Sequence, residues 1–268
     1  MTVARLQLMA GVVLAAALIA PLVPLAIWSF AHGWRFPDLM PRQYSLAAWT
    51  FALSAQSGVL SSLWTTFAIA GATTVVAAVI GLPAGRALGL YDFPGKRIVL
   101  LLLIAPALVP AIAIAPGLHA VFLHLGLSAS WTGVVLAHLI PVIPYMTLIL
   151  AAAFARFDPV HEDQARSLGA RPWQVFRHIT LPMIGPSLLI GSLFAFLVSW
   201  SQYLLTLVIG GGKVQTLPLT LYSFAAAGRN DITGAIALIY ILPGVVVLIF
   251  TARRITGRHP SLARGLAP

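Results

Sequence analysis

The apolar run from Leu6 to Phe30 carries no charged residue and is the first of six apolar runs in the chain. The others lie at about 59–88, 98–123, 131–154, 187–209 and 232–251. Each is about 20 residues or longer, the length at which a helix crosses roughly 30 Å of hydrocarbon. Charged residues make up 8% of the chain, against roughly 25% in soluble domains. The expected fold is therefore all-α, a polytopic membrane protein with six transmembrane helices.

A cleaved signal peptide is the competing reading of the first run, because Arg5 precedes an Ala-rich segment. Its apolar part would extend over about 7–15 residues only, so an uncleaved span is expected. Residues 31–58 form a mixed connection, with a short interfacial helix expected around Trp49. The second run is rich in Gly, Ala, Ser and Thr, which let helices approach closely, so it should pack inside the bundle. Pro106, Pro110 and Pro116 in the third run predict kinks or local unwinding. The domain organisation read from this pattern is a first helix with its extracytoplasmic connection (1–58), a core of five helices with a cytoplasmic loop at 156–182 (59–254), and a cytoplasmic basic tail (255–268).

The formal net charge is +10, but the basic residues sit between apolar runs and form no patch suited to nucleic acid. Six crossings place both termini on one side. If that side is the cytoplasm, it holds Arg5, Arg86, Lys96, Arg97, Arg156, Arg166, Arg171, Arg177, Arg253, Arg254, Arg258 and Arg264. The outside holds Arg35, Arg42, Lys213 and Arg229. Twelve against four is the bias expected of a multi-pass inner-membrane protein with cytoplasmic termini. The absence of cysteine excludes disulfides and thiolate chemistry.

The longest polar interruption, Ala155–Pro182, reads as two short helices meeting at a glycine. Asp158 is placed to cap the first, with Pro159 at its opening position and Glu162 and Asp163 near its positive end. Gly169 supplies a left-handed cap, and Pro172 opens a second helix carrying Trp173, Phe176 and Ile179 on one face. Leu181-Pro182 is expected to end it. With the charge bias above, this elbow is cytoplasmic.

From Asp163 the spacing runs Asp-Gln-Ala, three residues, Gly169, nine residues, Ile179, one residue, Leu181-Pro182. This resembles the EAA loop of binding-protein-dependent ATP-binding-cassette importer permeases, the type I or MetI-like class. Asp163 stands where that family has Glu, keeping the charge on a shorter arm, and the bulkier Gln164 stands where it has the first Ala. The resemblance covers residues 58–250, including Thr216–Leu219. It implies that Glu162, Asp163, Ala165, Gly169, Trp173, Phe176, Ile179, Leu181 and Pro182 form the loop that docks on an ATPase. The alternative reading of such a loop is a capped hairpin with solvated charges.

No phosphate-cradling loop is present. Gly212-Lys213 lacks both the earlier glycine and the following Ser or Thr. His161-Glu162 is followed by Ala165 where a zinc motif needs His, and Gly185-Pro186-Ser187 fails as a nucleophile elbow. Hence no catalytic residue, metal site or cofactor is expected, and hydrolysis is left to another polypeptide. The scarcity of charge in the spans also disfavours ion-coupled transport. Ser199, Ser201, Gln202 and Tyr203 are the candidates for a polar pathway, the competing reading being helix–helix hydrogen bonding. His138 reads more naturally as a packing residue than as a ligand, and Gly210–Gly212 as a turn more than a hinge.

The resemblance implies a set of partners: two cytoplasmic ATP-binding subunits, a second permease (a paralogue or an identical copy), an extracytoplasmic substrate-binding protein, and surrounding membrane lipid. It implies alternating access as the mechanism. The texture of residues 200–228 is similar to the branch handling polyamines, ferric iron or thiamine-like cations. An ATP-independent channel or secondary transporter, and a membrane scaffold, are the rival classes.

Overall fold

Unpaired backbone groups are costly in hydrocarbon, so apolar runs of this length close into helices. The computed structural model describes residues 3–34, 38 and 40–256 and is mostly helical. In chain order come α1 (Val3–Ile19), α2 (Leu22–Phe30), two-residue strands β1 (Ala31–His32) and β2 (Gln43–Tyr44), and α3 (Ala47–Ala52). Then follow α4 (Val59–Leu90), α5 (Lys96–Leu108), α6 (Ala111–His124) and α7 (Trp131–Phe154). The elbow supplies α8 (Val160–Ser167) and α9 (Pro172–Val175), and a π-helical turn, Phe176–Thr180, leads into α10 (Leu181–Trp200). The chain closes with α11 (Leu204–Gly210), α12 (Leu217–Ala226) and α13 (Asn230–Thr256). Arg35, Arg258 and Arg264 of the expected charge bias lie outside the described residues, as does the tail beyond Thr256.

Among the described residues, four helices are long and apolar enough to cross a membrane: Val59–Leu90, Trp131–Phe154, Pro172–Trp200 and Asn230–Val247. The pair α5 and α6 makes a fifth if taken as one broken span. Its halves are bent by 96°, because Pro110 offers no N–H and Val109 before it is extended. The first run differs from the single span expected. It is divided at Ala20 and Pro21 into α1 and α2, where proline again interrupts the ladder. The short helix expected around Trp49 is α3.

The chain forms two compact units, Met1–Trp64 with Thr216–Val245, and Thr65–Gln215 with Val246–Pro268. In the first, β1 and β2 pair antiparallel, Ala31 opposite Tyr44, a small departure from an all-helical chain. Ser62 and Thr220 share a buried hydrogen bond of 2.7 Å, and Phe51 meets Phe224 edge-on. Gly234 lies where a Cβ would come within 2.6 Å of the Leu25 carbonyl oxygen.

The second unit holds the elbow and is built around α7. Ser130 caps that helix by accepting from the Gly133 N–H at 3.0 Å. Gly81, Gly85 and Gly89, one turn apart on α4, face Met146, Leu150, Ala151 and Phe154 of α7. A Cβ at Gly85 would stand 2.6 Å from the Leu150 Cβ, and one at Gly89 would stand 2.6 Å from the Ala151 carbonyl oxygen. The two backbones therefore approach closely along two turns, as small residues allow. Sharing Met146, Leu150 and Phe154 with this ladder, Ala77, Val142, Met146, Leu150 and Ala195 belong to one buried cluster, and Phe154, Phe157 and Ile184 make another.

Candidate functional site

The elbow is built by local chemistry. The Asp158 carboxylate accepts from the Val160 N–H at 3.0 Å, so it caps α8 although the helix starts one residue later than expected. At the other end Gly169 has φ +87°. Its N–H donates to the Arg166 carbonyl at 2.9 Å and the Ala170 N–H to the Ala165 carbonyl at 3.0 Å. Those two bonds are the Schellman closure, which needs the left-handed conformation glycine adopts without strain. Pro172 then opens α9, and the Gln174 side chain accepts from the Arg171 N–H at 2.8 Å.

The second arm does not stop at Leu181-Pro182. From Pro172 to Trp200 the chain is helical throughout, so the elbow is continuous with the span after it. The π-turn explains how Pro182 is tolerated: around it the Leu181 N–H donates to the Phe176 carbonyl, five residues back. A widened turn reroutes the ladder where proline removes a donor.

The two carboxylates of the elbow go different ways. Asp163 is exposed, and its carboxylate meets Arg166 at 3.4 Å. Glu162 is turned inward, its side chain 3% exposed. Its Oε1 accepts from Arg86 Nη1 at 2.7 Å and from the Thr180 hydroxyl at 2.5 Å. Its Oε2 accepts from Arg86 Nη2 at 2.6 Å and from Arg166 Nη2 at 3.2 Å. The Arg86 guanidinium also lies over the Phe154 ring, 5.7 Å from its centroid. The Arg86 hydrogen bond, aided by Thr180 and opposed by burial, holds the Glu162 carboxyl below the usual carboxylate range.

Of the other elbow residues, Ala165, Phe176, Ile179 and Leu181 are half-buried, and Pro182 is exposed. Trp173 shares its face with Phe176, on which it packs with centroids 5.5 Å apart, but it is 65% exposed. Leu168, at the tip, is 90% exposed. Val175 and Thr180 face inward with Glu162. The elbow thus has a pinned inner face and an outer face offering Leu168, Trp173 and Asp163.

Sequence reasoning missed Arg86, Thr180 and Phe154. The available signal was Arg86 itself, a lone cation near the end of a 32-residue apolar helix, which calls for a carboxylate partner.

The pathway candidates are not brought together. Ser199 is buried and bonds His138 Nδ1 at 2.8 Å, while His138 Nε2 bonds the Thr206 hydroxyl at 2.9 Å. Because Thr206 donates to the Gln202 carbonyl at 3.0 Å, it accepts from Nε2–H, and Nδ1 accepts from Ser199. This chain staples α7 to both sides of a break at Ser201–Tyr203, where the fifth run was expected to be continuous. Ser199 and His138 therefore make helix–helix hydrogen bonds. Ser201 is exposed and donates to the Val198 carbonyl at 3.1 Å; Gln202 and Tyr203 are half-buried. Gly211 and Gly212 have φ +54° and +75°, the conformation of the turn reading. Among the described residues no group of three metal-ligating side chains occurs.

The family described as binding-protein-dependent transport system inner membrane component matches residues 77–258, a range that includes the elbow. Over 211 residues the chain is 29% identical to the trehalose transport system permease protein SugB of Mycobacterium tuberculosis, covering 76% of this chain and 77% of that one. It is 27% identical over 250 residues to the putrescine transport system permease protein PotI of Escherichia coli, covering 88% and 85%. In fold it is similar to a chain of a bacterial ABC transporter involved in the import of alginate, with a TM-score of 0.65, 20% identity and coverage of 93% and 96%.

Proposed function

The chain belongs to the family of inner-membrane components of binding-protein-dependent transport systems, and from that premise we propose that its elbow couples a translocation pathway to a separate ATPase. The observation that carries this is the division of the elbow's surface. Glu162, Val175 and Thr180 are buried against the chain's own helices, while Leu168 and Trp173 are left exposed beside Asp163. An apolar tip flanked by charge suits a cleft on a partner. The continuity of Pro172–Trp200 gives a displaced tip a direct lever on α10.

In this reading two ATP-binding subunits sit on the cytoplasmic side and a second permease copy or paralogue completes the pathway. A substrate-binding protein delivers cargo from outside. The permease makes no covalent bond. It converts the differential affinity of its two bundle states for two ATPase states into alternating access. The cargo is a small polar solute. The relative named for putrescine supports the polyamine reading of residues 200–228, and the relative named for trehalose supports an uncharged sugar as the other cargo class.

The test is co-purification from mild detergent, comparing the wild type with Gly169→Arg. A side chain at φ +87° is strained wherever it points, and a bulky cation there obstructs an approaching surface. An ATPase subunit retained by the wild type and lost from the folded variant supports the coupling role; absence from both, across several detergents, sinks it. Uptake of labelled putrescine against labelled trehalose separates the two cargo classes.

A further inference from the structure

We propose that Arg86 is a positioning residue for coupling: through Glu162 and Thr180 it fastens the elbow to α4, so that α4 moves with α8 and α10. This rests on the coupling role argued above and names the route by which a push on the elbow spreads.

The node joins four elements. Glu162 comes from α8, Thr180 from the π-turn at the root of α10, Arg86 from α4 and Phe154 from the end of α7. All the strong acceptor positions of the Glu162 carboxylate are occupied, two of them by the paired nitrogens of one guanidinium. A bidentate pair fixes angle as well as distance, which a lysine cannot do. The π-turn matters here because it sets the Thr180 hydroxyl 2.5 Å from Glu162. From the node, the Gly81, Gly85 and Gly89 ladder extends the grip of α4 on α7.

Stability alone does not account for such a node. Apolar residues of similar volume serve stability as well as a buried ion pair or better. What the pair adds is one fixed orientation between the elbow and α4. The neighbouring breaks, the 96° bend between α5 and α6 and the interruption at Ser201–Tyr203, leave compliance elsewhere in the unit.

The chain has no cysteine, so two introduced ones are unique in it. Spin labels at Val79→Cys on α4, an exposed position, and at Ser167→Cys on α8 report the distance across the node in the full-length permease. The wild type should give one narrow distance distribution, unchanged when a complex with its ATPase is trapped with ATP and vanadate. Arg86→Met should broaden it. Arg86→Lys should broaden it less, and the exchanged pair Arg86→Glu with Glu162→Arg should narrow it again. A distribution unaffected by Arg86→Met overturns the proposal. So does broadening that neither Arg86→Lys nor the exchange reduces, since that assigns the effect to lost packing. A wild-type distance that shifts on nucleotide trapping also overturns it. Failure of the wild type to hold any ATPase would count against the coupling role itself, while the distances in the isolated permease still decide the node.

Discussion

Glu162 and Asp163 are neighbours of like charge with opposite duties, and single substitutions should separate them. Removing one partner of a buried pair costs about 3–5 kcal/mol. Arg86 keeps contact with solvent, being 29% exposed, so Glu162→Gln should cost nearer about 2 kcal/mol, read as a lower thermal midpoint in detergent. Asp163→Asn should leave the midpoint unchanged and weaken ATPase retention instead. The pH dependence follows from the depressed Glu162 carboxyl. A carboxylate held below its unfolded value stabilises the fold above the ordinary glutamate range, about pH 4.3, and that contribution fades as pH falls through the folded value. The wild type should therefore lose midpoint on acidification below that range, and Glu162→Gln should lose less. Equal acid sensitivity in both proteins would place the titrating group elsewhere.

Among the elements, α4 is held to α7 by close backbone approach at Gly81, Gly85 and Gly89. Gly85→Ala puts a Cβ 2.6 Å from Leu150 and 3.0 Å from the Ala151 nitrogen, and backbone cannot yield cheaply. An overpacking cost of about 1–3 kcal/mol is expected. Gly71→Ala on the same helix meets nothing within 4 Å and should be neutral or up to about 1 kcal/mol more stable. Unfolding midpoints of the two variants check this directly. The same helix shows what the sequence makes legible. Its length, its small residues and the prolines of the third run announce the spans, the tight packing and the bend, because hydrophobicity and φ restriction are local properties. The elbow's caps at Asp158 and Gly169 are local too. The Glu162 node is not, because its partners Arg86 and Thr180 are 76 and 18 residues away and no spacing rule joins them. The continuation through Pro182 was hidden for a different reason. Proline reads as a stop unless a widened turn relieves it, and that turn is held by tertiary contacts.

At the scale of the whole molecule the open quantity is which side each loop faces. The coupling role requires the elbow in the cytoplasm. The first run must then cross as well if the N-terminus is to share that side, even though Pro21 splits it into α1 and α2. Two helices of 17 and 9 residues, laid end to end at 1.5 Å per residue, reach about 39 Å, more than the roughly 30 Å needed. A break at proline is tolerated in a span where neighbouring groups satisfy the freed carbonyls, and the basic start at Arg5 favours retention inside. The lack of native cysteine again makes the test clean, by labelling intact and lysed cells with a membrane-impermeant maleimide. Cysteine at Gln43 or Gln215 should react in cells with a permeabilised outer membrane, cysteine at Ser167 only after lysis, and a peptide tag fused before Met1 should be reached by antibody only after lysis. A Ser167 site that reacts from outside would separate the elbow from any ATP-driven partner. A tag reached by antibody once the outer membrane alone is permeabilised would instead leave the elbow where it is and reduce the crossings to five, turning α1 and α2 into a hairpin on the outer face.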